Sequence, residues 1–182
     1  MALLLLCGPS GVGKTTIIRH LIRERRFHVL RNFTTRRLRQ GESEREHLAI
    51  SELLTLERNR ETAFVNEIFG EKYAVLTRDL EAAFTCSRRY VFDIAPIFLP
   101  RVRGKFRTVV FVMPETVAQL PSQLQRARRL ERIKTCVEEY RDILRLWGRW
   151  KRHHRARFVV NGYNKMRETR RALDAILMEW RE

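Results

Sequence analysis

Several short stretches of this chain are apolar almost without interruption: Leu3-Leu4-Leu5-Leu6, Tyr90-Val91-Phe92, Val109-Val110-Phe111-Val112 and Phe158-Val159-Val160. A strand with one wet face alternates apolar with polar residues. Unbroken runs of this length instead predict strands covered on both faces, as in a parallel sheet. Phe27-His28-Val29-Leu30 predicts a further short strand, and residues 62–75 predict two strands around a turn at Gly70. Between these lie segments with helical spacing. Thr16–Ile22 predicts a helix behind the first strand, and residues 77–86 predict one with Leu80 and Phe84 on a single face. Ser51 is the expected cap of a short helix through Leu56, and Pro114-Glu115 the expected start of another. The stretch from Gln123 runs as a helix towards Trp147, and residues 167–180 form a last amphipathic helix with Leu173, Ile176, Leu177 and Trp180 inward. Strands alternating with helices predict a three-layer α/β/α domain, a parallel sheet with helices on both faces.

The first strand runs straight into Gly8-Pro9-Ser10-Gly11-Val12-Gly13-Lys14-Thr15, which fits G-x-x-x-x-G-K-[ST], the P-loop. Its glycines let successive backbone N–H groups turn inward as an anion nest. Lys14 would reach the β- and γ-phosphates of ATP, the Thr15 hydroxyl would ligate Mg²⁺, and the helix beginning near Lys14 adds the positive end of its dipole. Gly8 to Thr16 is therefore the expected ATP-binding segment, with Mg²⁺ entering as the companion of ATP.

Composition refines this picture in two respects. Lys plus Arg number 37 against 21 Asp plus Glu, a net charge of +16. Such an excess attracts polyanions but also suits a protein that clamps two phosphorylated substrates. The basic, aromatic-containing link from Gly148 to Arg157, with Trp150, His153 and His154, is expected to be a solvated connector. Nucleic-acid binding is accordingly expected to be weak and nonspecific at most. Cys7, Cys86 and Cys136 are scattered without metal-ligand spacing, which predicts reduced thiols and a cytoplasmic protein. No apolar run approaches the ~20 residues of a membrane span, and the start lacks the basic region of a secretory signal.

Downstream of the loop, Thr34 to Glu42 carries T-T-R-x-x-R-x-G-E. Two guanidinium forks on one extended segment can hold a phosphate through charge-assisted bonds. Together with G-P-S-G-V-G-K-T, this motif resembles the guanylate kinase family. The resemblance implies a single domain with a core at about 1–30, 88–120 and 136–182, an inserted acceptor-binding lobe at about 31–87 and a helical lid at about 121–135. It implies that Arg36 and Arg39 grip the phosphate of a nucleoside monophosphate, most simply GMP, and that Tyr73 matches a phosphate-contacting tyrosine. It also places Asn32, Glu42 and Asp93 in the acceptor site, Asn161 near the adenine, and a lid arginine at Arg132, in R-I-x-x-C-x-x-E. Arg126, Arg128 or Arg129 would be its partner, with Arg128 contacting ATP. Lys14, Arg132 and Asp93 are thus the expected catalytic set.

The chain also departs from that family. Asn66 falls where a base-reading Glu is usual, unless the register slips by one and Glu67 takes that role. Val75 replaces a Ser or Thr, and Ala95 stands in place of a second Asp. His47 stands about where that family has a phosphate-contacting Tyr, which makes it an expected acceptor-binding residue; followed by a short apolar stretch and Ser51, it is similar to the related ribose 1,5-bisphosphate phosphokinases. Asp93 is open to three roles: contact with the acceptor, orientation of Mg²⁺ through water, or capping of the next helix. A guanylate-kinase-like binding module without catalysis is a further possibility, though such modules have degraded phosphate loops and this one is complete.

Overall fold

In a computed structural model the described residues are 3–38, 42, 45–68, 70–95, 98–99, 102, 108–126, 133–153, 155–162 and 165–179. The apolar run β1 (Leu3–Cys7) is wholly buried at the centre of a five-stranded sheet. Its neighbours are β7 (Tyr90–Asp93) and β8 (Thr108–Met113), flanked in turn by β2 (His28–Val29) and β9 (Ala156–Val160), in the order β2-β7-β1-β8-β9. Every pair in this sheet is parallel. Successive residues of β1 point to opposite faces. Leu4 and Leu6 pack with Ile17, Ile18 and Leu21 of α1 (Lys14–Arg25) and with Leu173, Ile176 and Leu177 of α6 (Met166–Met178). Leu3, Leu5 and Cys7 pack on the other face with Leu80 and Ala83 of α3 (Thr77–Thr85) and Ile143 of α5 (Ile133–Trp150). Helices on both faces explain why the strands carry no polar alternation.

A second, four-stranded sheet stands beside this one, in the order β4-β3-β6-β5. It consists of β3 (Phe33–Thr34), β4 (Glu46–His47), β5 (Thr62–Ile68) and β6 (Glu71–Leu76). Phe33, Ala74 and Leu76 bury Leu53 of α2 (Ile50–Arg58) against this sheet.

Three local expectations shift. Helix α2 begins at Ile50, so Ser51 lies inside it, and the Glu52 carboxylate accepts the Ala49 N–H at 2.8 Å at its start. Pro114-Glu115 does not open a helix. The chain first turns, with the Gln119 and Leu120 N–H groups donating to the Thr116 and Val117 carbonyls, and α4 spans Gln119–Arg126. Helix α5 continues through Gly148 to Trp150, which shortens the expected connector. Packing of Trp147 between Phe111 and Phe158, at ring distances of 5.3 and 5.2 Å, anchors that last turn and outweighs the helix cost of one glycine.

Candidate functional site

The P-loop leaves the carboxyl end of β1 and ends on the first turn of α1. At Gly8 a Cβ would stand 2.3 Å from the Val112 carbonyl oxygen, so any side chain there would drive β8 away. Gly13 has φ +94°, and its Cβ would meet the Asn161 amide nitrogen at 2.5 Å. That amide braces the loop. Asn161 Nδ2 donates to the Val12 carbonyl at 2.6 Å, while the Thr169 hydroxyl donates to Asn161 Oδ1 at 2.8 Å. Both side chains are buried, so an unmatched end would cost about 1–3 kcal/mol. Asn161, expected near adenine, thus spends its amide on the loop itself.

Lys14 Nζ donates to the Gly8 and Pro9 carbonyls at 2.6 and 3.0 Å, and it lies 3.8 Å from Asp93. The Ser10 N–H, one donor of the nest, points at a carboxylate already: Glu139 Oε2 of α5 accepts it at 2.7 Å. Beneath the loop, burial pushes the Cys7 thiol up to about 12, against the pull of Lys14. It is a packing residue rather than a nucleophile. Thr15 lies at the cleft and Thr16 is exposed beside it on α1. The Thr15 hydroxyl and the Asp93 carboxylate are hard oxygen donors of the kind Mg²⁺ takes together with phosphate oxygens and water. Among the described residues no group of three or more His, Cys, Asp or Glu is placed to hold a metal. The Thr15 and Asp93 oxygens fit an ion that comes with ATP.

Across from the loop, the smaller sheet supplies the other wall. Asn66 pairs with Tyr73 and Glu67 with Lys72. Side chains alternate along β5, so Phe64, Asn66 and Ile68 face the cleft while Glu67 is exposed. Of these two residues, Asn66 lines the cleft and Glu67 does not. Tyr73 and Val75 of β6 join the same wall, with Asn32, buried, at its edge. Phe64 stacks on Phe98 at 4.8 Å and lies 5.9 Å from Phe92, which makes an aromatic floor. The cleft has a volume of about 290 Å³.

Charged groups connect the two walls. Arg36 donates to both oxygens of Glu42 at 2.7 Å, and Arg45 donates to Glu42 at 2.9 Å. The far side of Arg45 reaches Asp93 at 3.5 Å, and Asp93 faces Lys14. Charges thus alternate from Arg36 through Glu42, Arg45 and Asp93 to the P-loop. Burial disfavours a charged Arg36, but hydrogen bonds with Glu42 and Tyr73 outweigh it and raise its pKa above the usual arginine value.

Not every expected residue joins the site. His47 lies on β4, at the edge of the smaller sheet, exposed, with Nδ1 3.3 Å from the Arg36 carbonyl oxygen. It does not line the cleft, because edge pairing with Thr34 leaves it open to solvent. Arg39, Arg128, Arg129 and Arg132 lie outside the described residues, as does the side chain of Arg126. Arg45, Glu139, Phe64 and Phe98 line the cleft and Thr169 braces the loop, yet no sequence motif assigned them a role. Glu139 had one signal, as the last residue of R-I-x-x-C-x-x-E. The others had none, since long-range pairing alone brings them here.

A family model described as an AAA domain matches residues 3–139. The guanylate kinase of Oleidesulfovibrio alaskensis is 34% identical over 128 residues, covering 67% of this chain and 62% of its own length. That of Agrobacterium fabrum is 31% identical over 131 residues, with 68% and 60% covered. The chain spans about three fifths of the length of these two relatives. The crystal structure of guanylate kinase from Anaplasma phagocytophilum superposes with a TM-score of 0.63 at 20% identity, over 98% of this chain and 85% of that one.

Proposed function

This chain belongs to the AAA-domain family of P-loop proteins and is guanylate kinase-like, and we propose that it transfers the γ-phosphoryl group of ATP to the phosphate of a nucleoside monophosphate, GMP first. The observation that carries this reading is one cleft lined from both sides. Gly8, Ser10, Gly11, Gly13, Lys14 and Thr15 face Asn32, Arg36, Asn66 and Tyr73 across it. A phosphate donor in the nest and a phosphate acceptor on the smaller sheet would therefore meet with no wall between them.

In the reaction an oxygen of the acceptor phosphate attacks the γ-phosphorus in line, the bond to the β-phosphate oxygen breaks, and ADP leaves. The transferring group carries its charge on oxygens, so the protein contributes position and countercharge rather than covalent chemistry. Lys14 exchanges its loop carbonyls for phosphate oxygens, and Arg36 holds the acceptor. Thr15 would help hold the Mg²⁺ that comes with ATP, and the ion would supply further charge neutralisation. Phe64, Phe92 and Phe98 give a planar base an apolar floor. Before substrates bind, Asp93 sits between Arg45 and Lys14.

A second reading, a ribose 1,5-bisphosphate phosphokinase, is favoured by the base end of the cleft. Asn66 and Ala95 stand there in place of carboxylates, and Glu67 faces away. The test is a coupled ADP-release assay with ATP and GMP, dGMP, AMP, UMP or ribose 1,5-bisphosphate side by side. Turnover is expected with GMP, and Lys14→Ala is expected to abolish it while leaving the far-UV spectrum unchanged. Turnover with the sugar alone overturns the first reading in favour of the second. Activity retained by a folded Lys14→Ala variant removes the loop from the mechanism.

A further inference from the structure

We propose that Arg45 is an acceptor-phosphate ligand acting beside Arg36, and that the phosphate displaces Asp93 from it. This rests on reading the cleft as a phosphoryl-transfer site and adds a residue that the T-T-R-x-x-R-x-G-E motif does not contain.

Strand β4 runs parallel to β3, and the Glu46 N–H donates to the Asn32 carbonyl at 3.0 Å. That pairing sets Arg45 next to Asn32, and both line the cleft. The guanidinium lies 5.6 Å from the centre of the Tyr73 ring, a cation–π contact that keeps it turned inward.

A guanidinium offers five N–H donors. One terminal nitrogen of Arg45 bonds Glu42 at 2.9 Å, and the other reaches Asp93 only at 3.5 Å, the outer limit of a hydrogen bond. Its Nε is buried and has no hydrogen-bond partner among the described residues. The Nε of Arg36 is in the same state, although both of that residue's terminal nitrogens are engaged. Two neighbouring arginines that share one carboxylate thus each keep a buried N–H unspent. A phosphate brings three acceptor oxygens in tetrahedral array, which can take donors from two guanidinium groups at once. The long contact to Asp93 is the one such an anion would replace, since one anion is exchanged for another while the short bond to Glu42 stays.

The charges agree. Along the connected series, Arg36, Arg45 and Lys14 outnumber Glu42 and Asp93. The series keeps one net positive charge, which favours an incoming anion. A lysine at position 45 would keep the charge but lose the fork.

The test reads the donors directly. Arginine Nε–H resonances of ¹⁵N-labelled protein are followed on adding inorganic phosphate, GMP and ribose 1,5-bisphosphate, with Arg45→Lys identifying the signal of Arg45. The Arg36 and Arg45 signals are both expected to move with at least one of these. In parallel, calorimetry of Arg45→Gln is expected to show binding of that ligand weakened roughly 10- to 100-fold, with partial recovery in Arg45→Lys and ATP binding unchanged within about twofold. Movement of Arg36 alone, no movement with any probe, or equal losses of ATP and acceptor affinity overturns the proposal. Failure of the kinase reading looks different: no acceptor is turned over, while the two resonances still report whether Arg45 meets phosphate.

Discussion

At the base end of the cleft, the pairing of Asn66 with Tyr73 turns an amide inward and leaves Glu67 in solvent. An amide carries one acceptor oxygen and a donor, whereas a carboxylate only accepts, with two oxygens. Guanine offers two adjacent N–H donors on its pairing edge, so an amide at position 66 satisfies one of them and opposes the other with its own donor. On the proposed reading, Asn66→Glu is expected to raise kcat/KM for GMP relative to AMP by about tenfold, the scale of one charged hydrogen bond. Competition between the two nucleotides measures the ratio, and an unchanged ratio removes Asn66 from base recognition. The neighbours Phe64, Ile68 and Val75 make this a demanding place for a carboxylate, which would ionise readily only with a base to receive it.

Helix α1 carries the end of the P-loop, and helix α6 holds it from behind. Arg25 near the end of α1 forks onto Asp174 of α6, with Nε at 2.7 Å from one oxygen and a terminal nitrogen at 2.6 Å from the other. His20 of α1 lies 3.8 Å from the same carboxylate. The Arg25 hydrogen bond holds Asp174 below the usual carboxylate range, despite partial burial. A folded-state value below the unfolded one means that the contribution is complete above the unfolded pKa of about 3.9 and fades as pH falls through the folded value. Asp174→Asn is therefore expected to lower the Tm by about 2–4 °C at neutral pH, the effect of about 1 kcal/mol in a chain of this size. The gap to the parent should close as acid protonates Asp174, which thermal melts across the carboxylate range will follow. A gap that stays constant with pH assigns the loss to packing instead of charge. Also at this scale, Asn161 and Thr169 tie the start of α6 to the Val12 carbonyl, so the loop is fixed by strand, helix and amide together.

For the whole molecule, the charge of +16 exceeds what the cleft employs. Several cations outside the cleft sit against acids, as exposed Arg145 does with Asp142, half-buried Arg157 with Glu179 and exposed Lys165 with Glu115. Such pairs are solvated and contribute little. Binding to single-stranded DNA is therefore expected to be weak, independent of sequence and lost by about 150 mM salt, where screening acts over about 8 Å. Anisotropy titrations at rising salt give the measurement. Tight binding at that salt, displaced by neither ATP nor GMP, would reveal a separate basic surface. Among the described residues no helix is long and apolar enough to cross a membrane.

What the sequence determined by itself was whatever depends on backbone freedom and local periodicity. Gly8 to Thr15 was legible because only glycine tolerates φ of +83° at Gly11 and +94° at Gly13, and because the strand before and the helix after are neighbours in the chain. The buried strands were legible because a sheet covered on both faces needs no polar alternation. What tertiary structure alone decided was where single side chains end up. The register of β5 on β6 chose Asn66 over Glu67, and a shift of one residue would have reversed it. Parallel pairing of β3 with β4 brought Arg45 into the cleft and left His47 outside, although both lie in the same short segment. Asn161, far along the chain, went to the P-loop backbone because β9 joins the parallel sheet beside β8. Periodicity names the buried face of an element, but the partner that a side chain meets is set by chain pairing across long separations, which no local pattern encodes.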